Sequence, residues 1–425
     1  MLIQFSVENF KSFKDEAILS MVAASITENK DHVINKVNPP LLKSAVVYGA
    51  NASGKSNLVK AMQFMKSFVL GSSKETQATE SIPFSPFRLS TETEHNPSIF
   101  EIVFIYDGIR YRYGFAVDGK KVHTEWLYFI KNVRELEVFT RDGQKFNLTS
   151  HFKSEEPLVK ADRIRPNALL LSVSAQFNGK IATDILKWFH RFNVISGLEP
   201  GRFEPFTIKF AKSEAGKKAI LGFLKNADVG IEDLKVTEAE IEFEDLPPQV
   251  KKVFEKESGI ASKIDVRTFH KKFDNTGRVV ELEEFNMNNE ESAGTQKFFA
   301  LSGPLLDTIK NGKVLVIDEL DARLHPRMIL EICAMFNSKE RNPNNAQLIF
   351  VSHNTRLLDK NLFRRDQIWF LEKDKQEACE LYSLVEFQVD GKKIRKDASY
   401  EKDYLRGRYG AVPIVRDLDG DYGER

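Results

Sequence analysis

Residues 44–56 read Ser-Ala-Val-Val-Tyr-Gly-Ala-Asn-Ala-Ser-Gly-Lys-Ser, and this stretch limits the fold more than any other. Ser44–Tyr48 is short, apolar and β-branched, the composition of a buried parallel strand. Gly49–Ser56 fits G-x-x-x-x-G-K-[ST]. From Asn57 onward, Leu58, Met62, Met65 and Val69 recur at helical spacing. Strand, glycine loop and helix thus come in the order that a phosphate cradle needs. The loop residues Gly49, Ala50, Asn51, Ala52, Ser53 and Gly54 turn backbone N–H groups toward an anion. The helix that Asn57 continues adds its positive N-terminal end. Lys55 is placed to reach β- and γ-phosphates, and Ser56 to hold Mg²⁺.

A second phosphate-site signal lies far downstream. Lys313–Glu319 is an apolar strand ending in two carboxylates. A parallel strand delivers such residues to the sheet edge where ligands bind. Asp318 is expected to hold Mg²⁺ and Glu319 to orient an attacking water, a pairing suited to hydrolysis. About twenty residues earlier, Ser292-Ala293-Gly294-Thr295-Gln296 precedes a helix. Its hydroxyl and backbone N–H groups form a second anion cradle. An ordinary N-cap at Ser292 is the competing reading. The chain already has one phosphate loop, so the client of this second cradle is nucleotide bound to another copy.

The 425 residues suffice for one large α/β domain with insertions, or for two domains. Hydrophobic residues at 42% and charged ones at 29% describe a soluble globular chain. A net charge of +1 gives no global field toward nucleic acid or membrane, although a local basic patch stays open. Met1–Phe13 lacks an apolar signal core, and no apolar run approaches the ~18 residues of a membrane span. Two cysteines, Cys333 and Cys379, form neither a disulfide framework nor a metal set. A cytoplasmic protein is expected.

Leu2–Val7 and Glu16–Met21 read as strands. Ile99–Tyr106, Ile109–Val117 and Val122–Ile130 form an antiparallel meander across Asp107-Gly108 and Asp118-Gly119, which Asp142-Gly143 extends. Asn167–Ser174 reads as a short apolar strand ending near Gln176, and Ile181–Phe192 as a helix. Residues 197–290 are more charged and less regular. They contain a helix at Ser213–Asn226, a hairpin over Lys263–Phe285, and an acidic-then-basic run at Glu244–Lys256. Gly294–Ile309 and Pro326–Phe336 read as helices, Gln347–Val351 as a buried strand, and Gln367–Leu371 as the last strand. Lys392–Arg408, rich in both signs of charge, reads as a solvated surface, with binding of a partner or nucleic acid the alternative; Asp417–Asp421 reads as an acidic tail, with a metal-binding DxD the alternative.

Ser292–Gln296 resembles the signature motif of ABC-type ATPases, Glu319-Leu320-Asp321 their D-loop, and His353 their switch histidine. Val7–Phe13 resembles the opening of RecF/SMC-type ATPases, and Asp318–Pro326 is similar to OLD-like and AAA-type bacterial ATPases. Thr295 and Ala293 depart from the transporter form of the signature. The resemblance implies an α/β fold: an ABC-type head with a central, mostly parallel sheet, an antiparallel meander insertion and a mixed insertion. The expected divisions are 1–196 and 291–371 for the two lobes, 197–290 for the insertion, and 372–425 for a charged extension. It implies ATP and Mg²⁺ as cofactors and a homodimer with composite sites. Lys55, Ser56 and Asp318 would come from one copy and Ser292 and Gly294 from the other, with Gln296 and Asp321 also counted among the nucleotide-binding residues. Glu319 and His353 would be catalytic, and Gln176 would be either the glutamine that senses Mg²⁺ and the γ-phosphate or a polar loop residue. Ser352–Thr355, Arg364–Phe370, Leu381–Leu384 and Tyr404–Ala411 resemble the abortive-infection ATPases typified by AbiLi and RloA. That implies phage defence beside a separately encoded nuclease or toxin of the RloB type. A RecF-like ATPase that clamps DNA is the alternative; a transporter subunit fits less well.

Overall fold

The computed structural model describes residues 1–75, 77, 79–131, 134–241, 261–389 and 392–412. The runs expected at 244–256 and 417–421 lie outside the described residues. The chain forms two compact units: Met1–Ser196 with Thr308–Asp321 and Ile332–Arg425, and Gly197–Asp307 with Ala322–Glu331.

The first unit opens with strands β1 (Leu2–Glu8) and β2 (Ala17–Ser20) and a short ladder of β3 (Val33–Ile34) and β4 (Leu41–Leu42). Strand β5 (Ser44–Gly49) then leads into helix α1 (Lys55–Gly71). Next come β6 (Ser98–Tyr106), β7 (Ile109–Val117), β8 (Val122–Lys131), β9 (Arg134–Asp142) and β10 (Lys145–Leu148). Helices α2 (Glu156–Lys160), α3 (Leu170–Gln176) and α4 (Lys180–Arg191) lead to β11 (Phe192–Ser196).

The second unit holds α5 (Glu204–Ala211), α6 (Glu214–Asn226), β12 (Ile231–Ile241), β13 (Ala261–Phe273) and β14 (Val279–Asn286). Helix α7 (Ala293–Asn311) precedes β15 (Val314–Asp318), and α8 (Pro326–Asn337) precedes β16 (Gln347–Val351). The chain returns through β17 (Ile368–Lys373), β18 (Cys379–Ser383), β19 (Gln388–Val389), β20 (Lys392–Lys393) and α9 (Tyr400–Leu405).

Among the described residues, two large sheets dominate the first unit. One is six-stranded, in the order β11-β15-β16-β5-β17-β18. Its first five strands run parallel, and β18 adds an antiparallel edge. Every residue of β5 is buried, which explains its unbroken apolar character. The other sheet is seven-stranded and antiparallel, in the order β10-β9-β8-β7-β6-β1-β2. The expected antiparallel meander forms, and its β6 edge pairs with β1 from the start of the chain. Leu58, Met62, Met65 and Val69 of α1 share one buried core with residues of both sheets, including Phe100, Phe115, Val47 and Val316.

Turn chemistry explains the hairpins. Asp107 and Gly108 both have positive φ (47° and 77°), the geometry of a two-residue turn that matches strand twist. Asp118 works differently: its carboxylate accepts from the N–H groups of Lys120 and Lys121 and closes a longer loop.

Three expectations need correction. Leu170–Gln176 is helix α3, not a strand. The N–H groups of Leu170 and Leu171 donate to the buried Glu125 carboxylate on β8, at 2.7 and 3.0 Å. A carboxylate at a helix start satisfies donors that a helix leaves open, and this one lies 45 residues away in sequence. Burial pushes the Glu125 carboxyl pKa up, and Arg141, the two N–H groups and Tyr113 pull it back. Second, Gln367–Leu371 is not the last strand, because Cys379–Ser383 pairs with it. Third, Lys392–Arg408 is not wholly a solvated surface: Ile394, Tyr400 and Tyr404 are buried.

In the second unit, β12, β13 and β14 form an antiparallel sheet, more regular than the charge of 197–290 led one to expect. Ser213 caps α6 by accepting from Gly216 N at 3.1 Å.

Candidate nucleotide-phosphate site

The parallel sheet converges three strand ends on one edge. β5 runs into the glycine loop, β15 ends at Asp318, and β16 is followed by Ser352 and His353. Strand β16 lies between the other two. This is the carboxyl edge, where open α/β sheets bind ligands. A cavity of about 350 Å³ there is lined by Asn51–Asn57, Glu319 and His353.

The glycine loop is held in a conformation that side chains resist. Gly54 has φ +95°, and a Cβ there would sit 2.6 Å from Cys379 Sγ and 2.7 Å from Ser12 Oγ. Cys379 Sγ also donates to the Ser53 carbonyl at 3.0 Å. The edge strand β18 thus supports the loop from beneath. Lys55 is 5% exposed, and its ammonium donates to the carbonyls of Gly49 and Ala50, both at 2.7 Å. Burial lowers its pKa to about 8, against the pull of Asp318, Glu319 and Asp321.

Asp318 shows what the acidic side of the site can take. Burial raises its pKa, while a hydrogen bond with Ser56 and the charges of Lys60, Lys55 and His353 lower it. Its Oδ1 is buried and has no hydrogen-bond partner among the described residues. An orphaned carboxylate oxygen beside the Ser56 hydroxyl fits Mg²⁺, which takes one or two protein oxygens and fills its octahedron with phosphate and water. Among the described residues no group of three or more His, Cys, Asp or Glu side chains is arranged for a metal, so an all-protein cage is not the alternative.

Glu319 sits at φ 50°, in the left-handed region. A non-glycine residue there costs about 1–3 kcal/mol. Asp321 Oδ2 accepts from Ser352 Oγ at 3.1 Å and from His353 N at 2.9 Å. Within one chain, then, Asp321 ties the loop after β15 to the His353 loop.

The signature residues belong to the second unit. Ser292 Oγ accepts from Thr295 N at 3.1 Å and contacts Thr295 Oγ1 at 2.9 Å, so it caps α7. A Cβ at Gly294 would lie 2.9 Å from the Arg323 carbonyl oxygen. Lys297 Nζ donates to the Ala322 carbonyl at 2.6 Å. The Gln296 amide donates to the carbonyls of Asn288 and Glu291, shaping the turn before α7. Gln176 ends a helix, and its amide donates to the Ser73 carbonyl at 3.3 Å. It is not among the residues lining the phosphate cavity.

Sequence reasoning gave no site role to the opening turn. Asn9 and Lys11 have positive φ (49° and 53°), and the Asn9 amide donates to the carbonyls of Thr93 and Asn96, both at 2.8 Å. The turn delivers Ser12, whose Oγ accepts from the Asn57 amide at 2.9 Å. A second cavity of about 410 Å³, also touching Asn57, is lined by Lys11, Ser12, Phe87, Arg88, Leu89 and Lys373 among others. The polar pair Asn9 and Asn57, each flanking an element end, was the available signal.

A protein-family model described as "AAA domain, putative AbiEii toxin, Type IV TA system" matches residues 44–359. No curated protein matches the chain. Among solved structures, an SMC head domain from Thermotoga maritima is 14% identical, with 91% of this chain and 99% of that one covered at a TM-score of 0.41. An SmcHead bound to the C-winged helix domain of ScpA is 14% identical, covering 90% and 97% at 0.40. The recombination mediator RecF with ATP is 11% identical, covering 83% and 93% at 0.33. No helix among the described residues is long and apolar enough to cross a membrane.

Proposed function

Because the chain belongs to this AAA-domain family, we propose that it hydrolyses ATP in composite sites formed with a second copy of itself, and so regulates a separately encoded effector in phage defence. One observation carries the hydrolytic half. The glycine loop, Lys55, Glu319 and His353 line one cavity, and the hydrogen-bonded Ser56 and Asp318 stand at the same sheet edge. Loop N–H groups and Lys55 bind the β- and γ-phosphates. Mg²⁺ held by Ser56 and Asp318 would neutralise phosphate charge. Glu319 orients the attacking water and accepts its proton, and His353 meets the charge that develops on the γ-phosphate. The nucleoside occupies the neighbouring cavity beside Lys11, Asn57 and Arg88.

The second copy contributes Ser292 and Gly294, with Gln296 shaping their turn. Support comes from the bare backbone at Gly294 and the helix start at Ser292, both suited to a phosphate. Contacts to the γ-phosphate exist only in the closed pair, so ATP favours closure and hydrolysis releases it. The family's description names a putative toxin and a toxin–antitoxin system, which supports a defence role; the separately encoded nuclease or toxin of the RloB type is our own reading.

The test is steady-state turnover with oligomeric state. Glu319→Gln loses at least about a hundredfold in kcat and accumulates ATP-bound dimer. Ser292→Arg keeps ATP binding by the monomer but loses turnover. Parent-like turnover in Glu319→Gln removes Glu319 from its role, and parent-like turnover in Ser292→Arg removes the composite site. Co-purification with the neighbouring gene product supports the effector. DNA-stimulated turnover that disappears at high salt replaces that reading with a RecF-like clamp.

A further inference from the structure

The C-terminal segment packs under the loop that carries His353. That loop is held from one side by Asp321, through Ser352 Oγ and His353 N. From the other side, Thr355 Oγ1 donates to Glu401 Oε1 at 2.9 Å. The Glu401 N–H donates to the Leu358 carbonyl at 3.1 Å. Between them, the Tyr48 hydroxyl on the phosphate-loop strand donates to the Asn354 carbonyl at 3.1 Å.

Helix α9 is anchored where these bonds are made. The Tyr404 ring lies 6.0 Å from Tyr48 and stacks on Phe370 at 5.4 Å. Its hydroxyl donates to the Ala411 carbonyl at 3.1 Å. Tyr382 donates to the Tyr409 carbonyl at 2.6 Å. Tyr400, Tyr404 and Tyr409 are 2%, 5% and 0% exposed. A solvated tail has no reason to bury three tyrosines. Nothing in α9 lines the phosphate cavity.

We propose that residues 400–411 brace the His353 loop, and that Glu401 is a positioning residue that sets the hydrolysis rate without touching nucleotide. The inference rests on the reading above, in which His353 meets charge on the γ-phosphate. Displacing α9 frees Thr355 and Leu358 while the glycine loop stays whole. Turnover then falls and ATP affinity does not. An effector that engages the segment around α9 gains a route to the ATPase.

The experiment compares full-length parent, Glu401→Ala, Glu401→Gln, Thr355→Val and the Glu401→Ala/Thr355→Val double variant. Either single loss of the hydrogen bond lowers kcat about fivefold, roughly 1 kcal/mol at 1.36 kcal/mol per decade, with ATP Kd unchanged. Glu401→Gln keeps a carbonyl acceptor and restores turnover. The double variant is no slower than the slower single, since both remove the same bond. Amide exchange over 353–358 quickens in Glu401→Ala while 49–57 is unaltered. Parent-like kcat in both singles, additive losses, or an equal loss of ATP affinity overturns the brace. If Glu401→Ala does not fold, Thr355→Val carries the same readouts. If the parent does not hydrolyse ATP, the ATPase reading falls and amide exchange alone decides: unaltered exchange over 353–358 overturns the brace, and faster exchange upholds it.

Discussion

With Lys55 holding nucleotide phosphates as proposed, ATP affinity should depend on pH. The Lys55 ammonium is buried against loop carbonyls, and burial lowers its pKa to about 8. Only the charged form attracts phosphate, so affinity is full below pH 8 and lost as pH rises through it. With a pKa of about 8, about nine-tenths of Lys55 is charged at pH 7 and about one-tenth at pH 9. ATP Kd should therefore weaken about tenfold between those values, or ~1.4 kcal/mol. Bound phosphate opposes the loss by raising the lysine's pKa, which is the same linkage seen from the other side.

Unfolding would not imitate this. The folded pKa lies below the ordinary 10.5, so between pH 8 and 10.5 the unfolded chain binds more protons at this group. Its contribution to stability therefore rises with pH. The assay is equilibrium titration with a non-hydrolysed ATP analogue from pH 6.5 to 9.5, with Lys55→Arg as control. Arginine keeps its charge throughout, so its profile should be flat at whatever affinity it has. A parent Kd constant from pH 7 to 9, or a Lys55→Arg profile with the parent's slope, would refute the reasoning.

Two further outcomes follow from the site. Asp318→Asn should raise the melting temperature while lowering turnover at least about a hundredfold. Burial raises the Asp318 pKa, so its charge costs stability at pH values above the ordinary carboxylate range, and removing it relieves that cost; differential scanning and turnover measured on one sample check both signs. Gly294→Ala should destabilise the protein by about 1–3 kcal/mol. The new Cβ meets the Arg323 carbonyl at 2.9 Å, which outweighs the ~1 kcal/mol that alanine gains over glycine in a helix; a denaturant midpoint at or above the parent's would sink this.

Much of the site could be read along the chain because its signals are local. A glycine loop, the strand before it and the periodic helix after it lie within 28 residues, and β5 and α1 form there. The Asp318-Glu319 pair announces itself by the apolar strand that delivers it. The Asp107-Gly108 turn needs only two residues with positive φ. Leu170–Gln176 shows the other case. Its apolar run is compatible with strand or helix, and a carboxylate on a distant strand decides between them.

The amino-acid sequence by itself determined a glycine loop, a carboxylate edge and the strands that carry them. Each depends on groups a few residues apart, and backbone sterics act at that range whatever surrounds them. Only the tertiary structure decided that β1 closes onto β6, that Cys379 supports Gly54, and that Glu401 reaches Thr355. Those contacts join positions tens to hundreds of residues apart. The last of them forms as Tyr404 and Tyr409 bury their rings while their hydroxyls donate to the Ala411 carbonyl and the Asp403 carboxylate. No local pattern encodes a partner that the chain meets only after it has folded.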